Sequence, residues 1–461
     1  MIRTTTPNLM RLAGLLAGLI ALLISLALPA SAQVTEDMMN AAIEAAVAAS
    51  AVEDAFVFNT FLFLSQGLIV MFMAAGFAML EAGLVRTKNV STILLKNIAL
   101  FSTAGIMYYL VGYQIMYPGD FNGFLASSGF LYQPDAGTSG LGTAFNFAVM
   151  SDWFFQMVFV ATAASVVSGT VAERVKLWHF LSFVVLLSAI IYPIQGSWKW
   201  GGGWLDAGGF YDFAGSTLVH SVGGWAALIG ALVVGPRLGK YTGGVVKPIP
   251  GSSMPLATLG TFILWFGWFG FNGGSQLALG SPIDANAVAN IYANTFIAAA
   301  AGCISAMFAS QALFGKVDLT LVLNGVIGGL VSITAGPEYV NLLFPLLIGA
   351  IGGTLVAASI PLLDYLRVDD VVGAVPAHLV CGVWGTLAVG IFYPLAGLEA
   401  SLLWQIIGIL AIGGFVCLSS YLAWSFLNLI GGLRPSREQE YAGLDKTELG
   451  IEAYPEFNKI V

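Results

Sequence analysis

The sequence of 461 residues contains little charge and few histidines or cysteines. Charged residues make up 9% of the chain and hydrophobic residues 58%, with three histidines and three cysteines. A soluble domain carries about 25% charged residues, so this composition excludes an ordinary water-soluble protein. Cys303, Cys381 and Cys417 lie in apolar runs without CxxC spacing. This arrangement excludes a disulfide framework and a cysteine metal site.

The sequence also lacks the patterns of an enzyme. It has no recognisable nucleophile motif or metal cluster, and the triple glycine at 201–203 does not join a strand to a helix as a phosphate-binding loop does. We therefore predict a protein that is not an enzyme and that uses no cofactor or metal. No feature indicates a nucleic-acid partner.

Long apolar runs are abundant instead. Eleven of them reach the length of about 18 residues that a transmembrane helix requires, and none alternates like a barrel strand. The predicted fold is therefore an all-α polytopic membrane protein, with 56 glycines allowing close helix contacts. The runs lie near 57–85, 91–115, 148–171, 177–195, 213–235, 253–277, 286–312, 317–335, 341–365, 371–394 and 401–430.

The first segment is typical of a signal peptide. Arg3 and Arg11 precede an apolar stretch at 12–28, which ends in the small residues 30–32. We predict a signal peptide at 1–32, a transmembrane domain at 33–430 and a polar cytoplasmic tail at 431–461. The alternative is an uncleaved first helix, and in both cases the following segment starts outside.

The loops indicate the orientation in the membrane. With the mature N-terminus outside and eleven crossings, every later lysine and arginine except Lys199 falls on the cytoplasmic side, as the positive-inside rule requires. The outer loops are acidic, which favours a cationic substrate weakly. That acidity is equally well explained as a by-product of the same charge rule.

Two histidines occupy equivalent positions in two spans. His220 and His378 each follow an aspartate by eight residues, Asp212 and Asp370, near the start of the fifth and tenth spans. These spans enter the membrane from opposite sides. Eight residues of helix rise about 12 Å in a hydrocarbon core of about 30 Å, so both histidines should lie near the midplane. This pattern predicts an inverted repeat of helices 1–5 and 6–10, with an eleventh helix added.

The aspartates and histidines have two possible roles each. Each aspartate is placed to cap a helix N-terminus, and Asp212 also supplies negative potential at the outer mouth. A single buried histidine is often only a polar group satisfied by a neighbouring helix. For a matched pair of ionisable rings at the midplane, a functional role is the favoured interpretation.

Two further segments are rich in aromatic residues and glycine, at 197–203 (SWKWGGG) and 264–275 (LWFGWFGFNGGS). Either one alone could be an aromatic belt at the membrane interface. Both lie on the side from which His220 is entered.

With these motifs, the sequence resembles the ammonium transporter family (Amt, Mep and Rh proteins), specifically the bacterial Amt type. The resemblance covers nearly all of the mature chain. It rests on segments 152–156 (DWFFQ), 172–174 (AER), 200–203 (WGGG), 212–220 (DFAGSTLVH), 268–275 (WFGFNGGS) and 369–382 (DDVVGAVPAHLVCG).

The resemblance implies roles for individual residues. Where the family often has a further acidic residue, five before the second histidine, this chain has Gly373, and no role is assigned there. The implied roles are an outer ammonium site at Phe159, Trp200 and Ser275, a gate at Phe159 and Phe271, pore histidines at His220 and His378, an acidic residue near the outer site at Asp212 and a wall residue at Trp268. Asp370 receives an electrostatic or structural role from its equivalence to Asp212.

Ammonium chemistry suits these residue types. Aromatic rings attract a compact cation, and a hydroxyl oxygen accepts one of its four N–H bonds. Such a site alone would not reject potassium, which has the same charge and a similar size. Ammonium can lose a proton, and neutral ammonia avoids most of the cost of crossing an apolar pore. Neutral imidazoles can hydrogen-bond to ammonia and relay a proton.

The resemblance also implies location, assembly and regulation. It implies a multi-pass protein of the bacterial inner membrane, a homotrimer, methylammonium as a substrate analogue, and a tail that influences docking of a PII-type signalling protein (GlnK). Two other functions remain open. A sensor would bind ammonium without conducting it, although no signalling domain follows Val461. A passive channel would admit only the neutral gas.

Overall fold

The computed structural model describes residues 16–21, 23, 36–118, 121–126 and 146–456. The predicted cleavage site after Ala32 lies outside the described residues, as does most of the predicted signal peptide. The division of the chain at residues 32 and 430 therefore stays a prediction.

Eleven apolar helices occupy the eleven predicted runs within the described part of the chain, which confirms the all-α polytopic fold. Ten of them are long and apolar enough to cross a membrane, whereas α8 has 16 residues and falls short of that length. The helices are α1 Glu36–Leu84, α2 Thr87–Met116, α3 Val149–Thr170, α4 Leu177–Ser197, α5 Ser216–Val234, α6 Met254–Gly274, α7 Pro282–Phe314, α8 Leu319–Thr334, α9 Leu343–Tyr365, α10 Val375–Leu395 and α11 Leu402–Gly431.

The first helix begins earlier than the sequence pattern predicts. Its predicted apolar run starts at residue 57, but α1 begins at Glu36, and its first turns are exposed. Alanine, glutamate and methionine dominate this extension, and all three are good helix formers. Hydrophobicity therefore marks the portion suited to lipid, while helix propensity carries the helix beyond it.

The helices pack as the predicted inverted repeat requires. Helix α1 packs against α6, and α5 packs against α10. Within the first half α3 contacts α5, and within the second half the equivalent α8 contacts α10. The two halves thus meet where their fifth helices cross.

One end of the bundle, which we call the tail face, is held by buried charges. Arg237 forms an ion pair of 2.9 Å with Asp369, and both side chains are almost fully buried. Arg237 also approaches Glu173 at 3.4 Å. Burial alone would raise the pKa of the Asp369 carboxyl, but hydrogen bonds from Arg237 and the charge of Arg174 bring it well below its ordinary value. These groups connect the ends of α3, α5 and α10. The opposite end, which carries Trp200 and Ser275, is the aromatic face.

The C-terminal tail packs on the tail face. After α11 it forms a short helix, α12 (Arg437–Ala442). Beyond α12, the Asp445 carboxylate accepts hydrogen bonds from the backbone N–H groups of Ser91 and Thr92, at 2.9 and 2.7 Å. Both lie in the first α-helical turn of α2, which starts at Val90 after a 3-10 turn. Lys88 Nζ donates to the carbonyl oxygen of Glu440 at 2.8 Å. The described part of the tail is therefore an ordered element, and its sequence alone would also fit a disordered terminus.

The tail-face ion pair leads to a first prediction. Asp369→Asn removes the closer of the two carboxylates that pair with the buried Arg237 and leaves only Glu173, and we expect the free energy of unfolding to fall by about 3 kcal/mol. Thermal unfolding in detergent, followed by circular dichroism, measures this loss. The matched control is Asp364→Asn, which removes the more exposed partner of Lys240 and should cost about 0–1 kcal/mol.

The ion pair between Arg237 and Asp369 also makes the stability depend on pH. Because the pKa of the Asp369 carboxyl is lower in the folded than in the unfolded chain, the pair adds stability above about pH 4, and this stability is lost as the pH falls further. The difference between wild type and Asp369→Asn should therefore shrink below about pH 4. Equal unfolding temperatures for the Asp369 and Asp364 variants at neutral pH would contradict the prediction.

Candidate functional site

Both histidines lie in π-helical turns at the start of their helices. The turn Ser216–Ser221 opens α5 and contains His220, and the turn Val375–Val380 opens α10 and contains His378. Such turns are rare and occur frequently at functional sites. The two halves of the repeat therefore share a local distortion as well as a sequence spacing.

An aspartate precedes each turn and caps it. The Asp212 carboxylate accepts four backbone hydrogen bonds of 2.8–3.0 Å, from Gly215, Ser216, Thr217 and Leu218. Burial raises the pKa of Asp212 to about 6, and the four N–H donors oppose that shift. The carboxylate thus lies buried at the aromatic face and still carries its charge at neutral pH.

Asp370 occupies the equivalent position at the tail face. Its Oδ2 accepts a hydrogen bond of 2.7 Å from the backbone N–H of Val375, and its Oδ1 accepts one of 3.0 Å from the Thr170 hydroxyl. The second bond ties α10 to the end of α3. Asp212 and Asp370 therefore cap their turns from opposite ends of the bundle.

The two histidine rings meet inside the bundle. His220 Nδ1 lies 3.3 Å from His378 Nδ1, and both residues are buried. Glycines four residues after each histidine allow this approach. A Cβ on Gly224 would lie 2.7 Å from the backbone nitrogen of Leu379, and one on Gly382 would collide with the first turn of α5. Helices α5 and α10 consequently cross with almost no side-chain volume between them.

Aromatic rings surround the histidine pair. The His220 ring stacks on Trp268 with a centroid distance of 4.7 Å, and Phe77 lies 6.1 Å from His378. Trp268 is itself fixed, because its Nε1 donates a hydrogen bond of 2.8 Å to the Thr334 hydroxyl. In the described part of the chain, His220 Nε2 has no protein hydrogen-bond partner. This buried nitrogen therefore has hydrogen-bonding capacity that the described residues do not use.

A continuous series of ring contacts leads from the aromatic face to the histidines. The Phe159 centroid lies 6.1 Å from Trp200 and 3.9 Å from Phe271, and the Phe271 centroid lies 5.1 Å from His220. Phe159 and Phe271 are stacked and fully buried. Two stacked rings thus lie between Trp200 and the histidine pair.

The remaining predicted residues frame the upper end of this series. Trp200 is half-buried, and its Nε1 donates a hydrogen bond of 3.0 Å to the carbonyl oxygen of Asp212. The hydroxyl of Ser275 donates to the carbonyl oxygen of Phe271 at 2.9 Å, which leaves its oxygen lone pairs available. The structure therefore joins the aromatic face to the cap of the first histidine turn.

The sequence patterns do not predict the residues next to His378 on the side away from Trp200. A small cavity lies below His378, lined by Phe77, Glu81, Ser165 and Asn324 among others. Glu81 is a carboxylate inside a predicted span, and an ionisable residue there is itself a signal of function. The spacing rule that found the histidines does not reach it, because Glu81 has no partner in the repeat.

This geometry defines a class of protein: a multi-pass membrane protein with a narrow aromatic and histidine-lined path through an inverted repeat. Comparison with known sequences identifies one family. A sequence model of the Ammonium Transporter Family matches residues 59–454, and the chain belongs to that family. The family consists of transporters, in agreement with the sequence analysis.

Individual relatives agree with this assignment. Ammonium transporter Amt2 of Archaeoglobus fulgidus is 40% identical over 422 residues, covering 85% of this chain and 87% of the relative. A solved structure named Sensor Amt Protein is 34% identical and has a TM-score of 0.80, covering 86% of this chain and 99% of that one. The structure of Saccharomyces cerevisiae Mep2 has a TM-score of 0.74 at 25% identity, covering 83% and 89% of the two chains.

Proposed function

We propose that the protein takes up ammonium for nitrogen supply by binding the cation at the aromatic face, removing a proton, and passing ammonia through the histidine region. The contact series from Trp200 through Phe159 and Phe271 to His220 and His378 carries this proposal. It supplies a cation site, a constriction and a pair of proton-accepting rings, in the order the reaction needs them.

The upper site suits a small cation. The faces of Trp200 and Phe159 attract positive charge, and the Ser275 hydroxyl oxygen can accept an N–H bond. The buried carboxylate of Asp212, adjacent to Trp200, adds negative potential. These groups replace part of the water shell of ammonium.

The stacked rings below provide the selectivity. A centroid distance of 3.9 Å between Phe159 and Phe271 leaves no room for a hydrated ion without movement of the rings. A bare ion in so apolar a place would cost tens of kcal/mol in the idealised limit, whereas ammonia is neutral. Potassium has no proton to release and is therefore rejected. The imidazoles can hydrogen-bond to ammonia on the far side and accept a proton.

The proposal includes orientation, assembly and regulation. We assign the aromatic face to the outside of a bacterial inner membrane and the tail face to the cytoplasm, with a signal peptide at 1–32, a transmembrane domain at 33–430 and a regulatory tail at 431–461. The exposed apolar side chains around the helices suit lipid and neighbouring copies in a homotrimer. The tail, packed across the first turn of α2, is placed to respond to a PII-type protein.

A sensing role is the second candidate. It is favoured by the similarity to Sensor Amt Protein, which covers 86% of this chain. A sensor would bind ammonium at the same aromatic face without carrying it across. Uptake of labelled methylammonium by liposomes that contain the purified protein separates the two functions, because only a transporter gives uptake.

The histidine pair gives a second prediction. Replacing both rings, as His220→Ala with His378→Ala, should lower methylammonium uptake at least about tenfold, since the proton acceptors are removed. The matched control is His179→Ala, which changes the third histidine of the chain, outside the ring series. Uptake unchanged in the double variant would refute the relay, and a potassium current equal to the ammonium current in wild type would refute the selectivity.

Trp200 gives a third prediction. Trp200→Leu removes a cation–π contact of roughly 0.5–2 kcal/mol, so the half-saturation concentration for methylammonium should rise roughly 2- to 30-fold. Trp204→Leu is the matched control, because the Trp204 ring stacks on Phe124 and not on Phe159. An equal effect of both substitutions would assign Trp200 only a structural role.

The Asp212 carboxyl gives a fourth prediction. With a pKa of about 6, this group becomes neutral as the outside pH falls through that value. Ammonium and methylammonium stay protonated over the same range. Uptake should therefore fall below about pH 6 in wild type and stay low at every pH in Asp212→Asn. Asp206→Asn, at an exposed acid of the same face, should keep the wild-type profile, and a flat wild-type profile would contradict the prediction.

A further inference from the structure

A buried carboxylate lies on the far side of the histidine pair. Glu81, in α1, is 1% exposed. The Ser168 hydroxyl, which has one proton to donate, lies 2.6 and 2.7 Å from the two carboxylate oxygens, and the Asn97 side-chain amide donates a hydrogen bond of 2.9 Å to one of them. No ion pair within 4 Å involves Glu81 among the described residues.

A neighbouring lysine does not neutralise this carboxylate directly. Lys96 is also buried, but its ammonium group donates a hydrogen bond of 2.5 Å to the carbonyl oxygen of Val175. A charged group inside a membrane span is costly, and such groups normally face a cavity or a partner. Burying Glu81 in the bundle is therefore energetically costly, and the groups around it indicate its role.

The surroundings are a cavity on the pore path. Glu81 and His378 line the same small cavity, together with Ser165, Asn324 and Val372. A second, wider cavity begins at Asn324 and Val372 and opens toward the tail face, where Asp370 and Arg237 line it. Because the two cavities share the Asn324 and Val372 walls, Glu81 lies between the histidine pair and the tail-face exit.

We propose that Glu81 is a proton station at the inner end of the pore, which gives ammonia its proton back after the histidines. This inference rests on the proposed function and deepens it. A proton passed from His378 is held on a carboxylate oxygen of Glu81. Ammonia entering the cavity takes that proton, so that an O–H bond breaks, an N–H bond forms, and ammonium leaves beside a regenerated carboxylate. One positive charge crosses for each nitrogen.

The test compares charge movement with nitrogen movement in liposomes that contain the purified full-length chain. Addition of ammonium chloride outside produces a current when a proton accompanies ammonia, and entry of ammonia alone makes the lumen alkaline. In Glu81→Gln we expect the current to fall at least about tenfold and luminal alkalinisation to appear in its place, because ammonia then enters without its proton. The glutamine carbonyl oxygen can still accept the hydrogen bond from Ser168, so the fold should be retained.

Two further variants separate chemistry from structure. Glu81→Asp keeps the titratable group and should keep most of the current. Glu338→Gln is the matched control, because Glu338 accepts hydrogen bonds from the hydroxyls of Tyr211 and Tyr393 but does not line the cavity below His378. It should carry the wild-type current.

The possible outcomes separate failure of the proton station from failure of the proposed transport function. A Glu81→Gln current equal to that of wild type would overturn the proton station alone. If neither Glu81→Gln nor Glu81→Asp gives a current or luminal alkalinisation, Glu81 has a structural role. That result would also overturn the proton station. A wild-type protein that gives neither current nor alkalinisation would overturn the proposed function, and the proton station with it.

Discussion

The close crossing of α5 and α10 is the constraint on which the rest of the structure depends. The Nδ1 atoms of two imidazole rings lie 3.3 Å apart inside the bundle because the backbones that carry the rings approach each other closely. Gly224 and Gly382 make that approach possible, and the Thr217 and Thr386 hydroxyls join the same helices at 2.6 Å. The repeat, the π-helical turns and the aromatic walls are arranged around this contact.

The two caps show how the repeat has diverged around that contact. Asp212 holds four N–H groups and lies beside Trp200, whereas Asp370 holds one N–H group and a threonine hydroxyl beside the charged tail face. The same spacing thus gives a buried, isolated carboxylate at one end and a member of a polar network at the other. Equivalent positions in the chain therefore have different electrostatic surroundings.

Much of this arrangement could be predicted from the chain alone, because its signals are local. Apolar length predicts the helices, and the shared Asp212–His220 and Asp370–His378 spacing marks the two rings as equivalent residues of the two halves. The predicted rise of about 12 Å assumed helix from each aspartate onward, whereas α5 and α10 begin only at Ser216 and Val375. The start of α1 at Glu36 was missed because a hydrophobicity pattern marks lipid contact and not helix propensity. Glu81 was missed as a pore residue because its proximity to His378 arises only when α1, α3 and α10 pack.

The roles of four other residues were predicted from the family resemblance and not from local sequence patterns. Phe159, Trp200, Phe271 and Ser275 came from motif positions, and the structure brings their rings and backbones into one connected series. Their contacts with each other follow from packing between α3, the loop after α4 and α6. No periodicity in the sequence would have selected these four residues among the many aromatic side chains of the bundle.

The tail contact on α2 has a mechanical consequence. Asp445 occupies the free N–H groups of the first turn of that helix, so lifting the tail away uncaps α2. A helix cap is worth about 1 kcal/mol, and water can take its place at the membrane surface. The tail therefore stabilises the start of α2 from outside the bundle, and its removal leaves two backbone N–H groups of that helix to be hydrated.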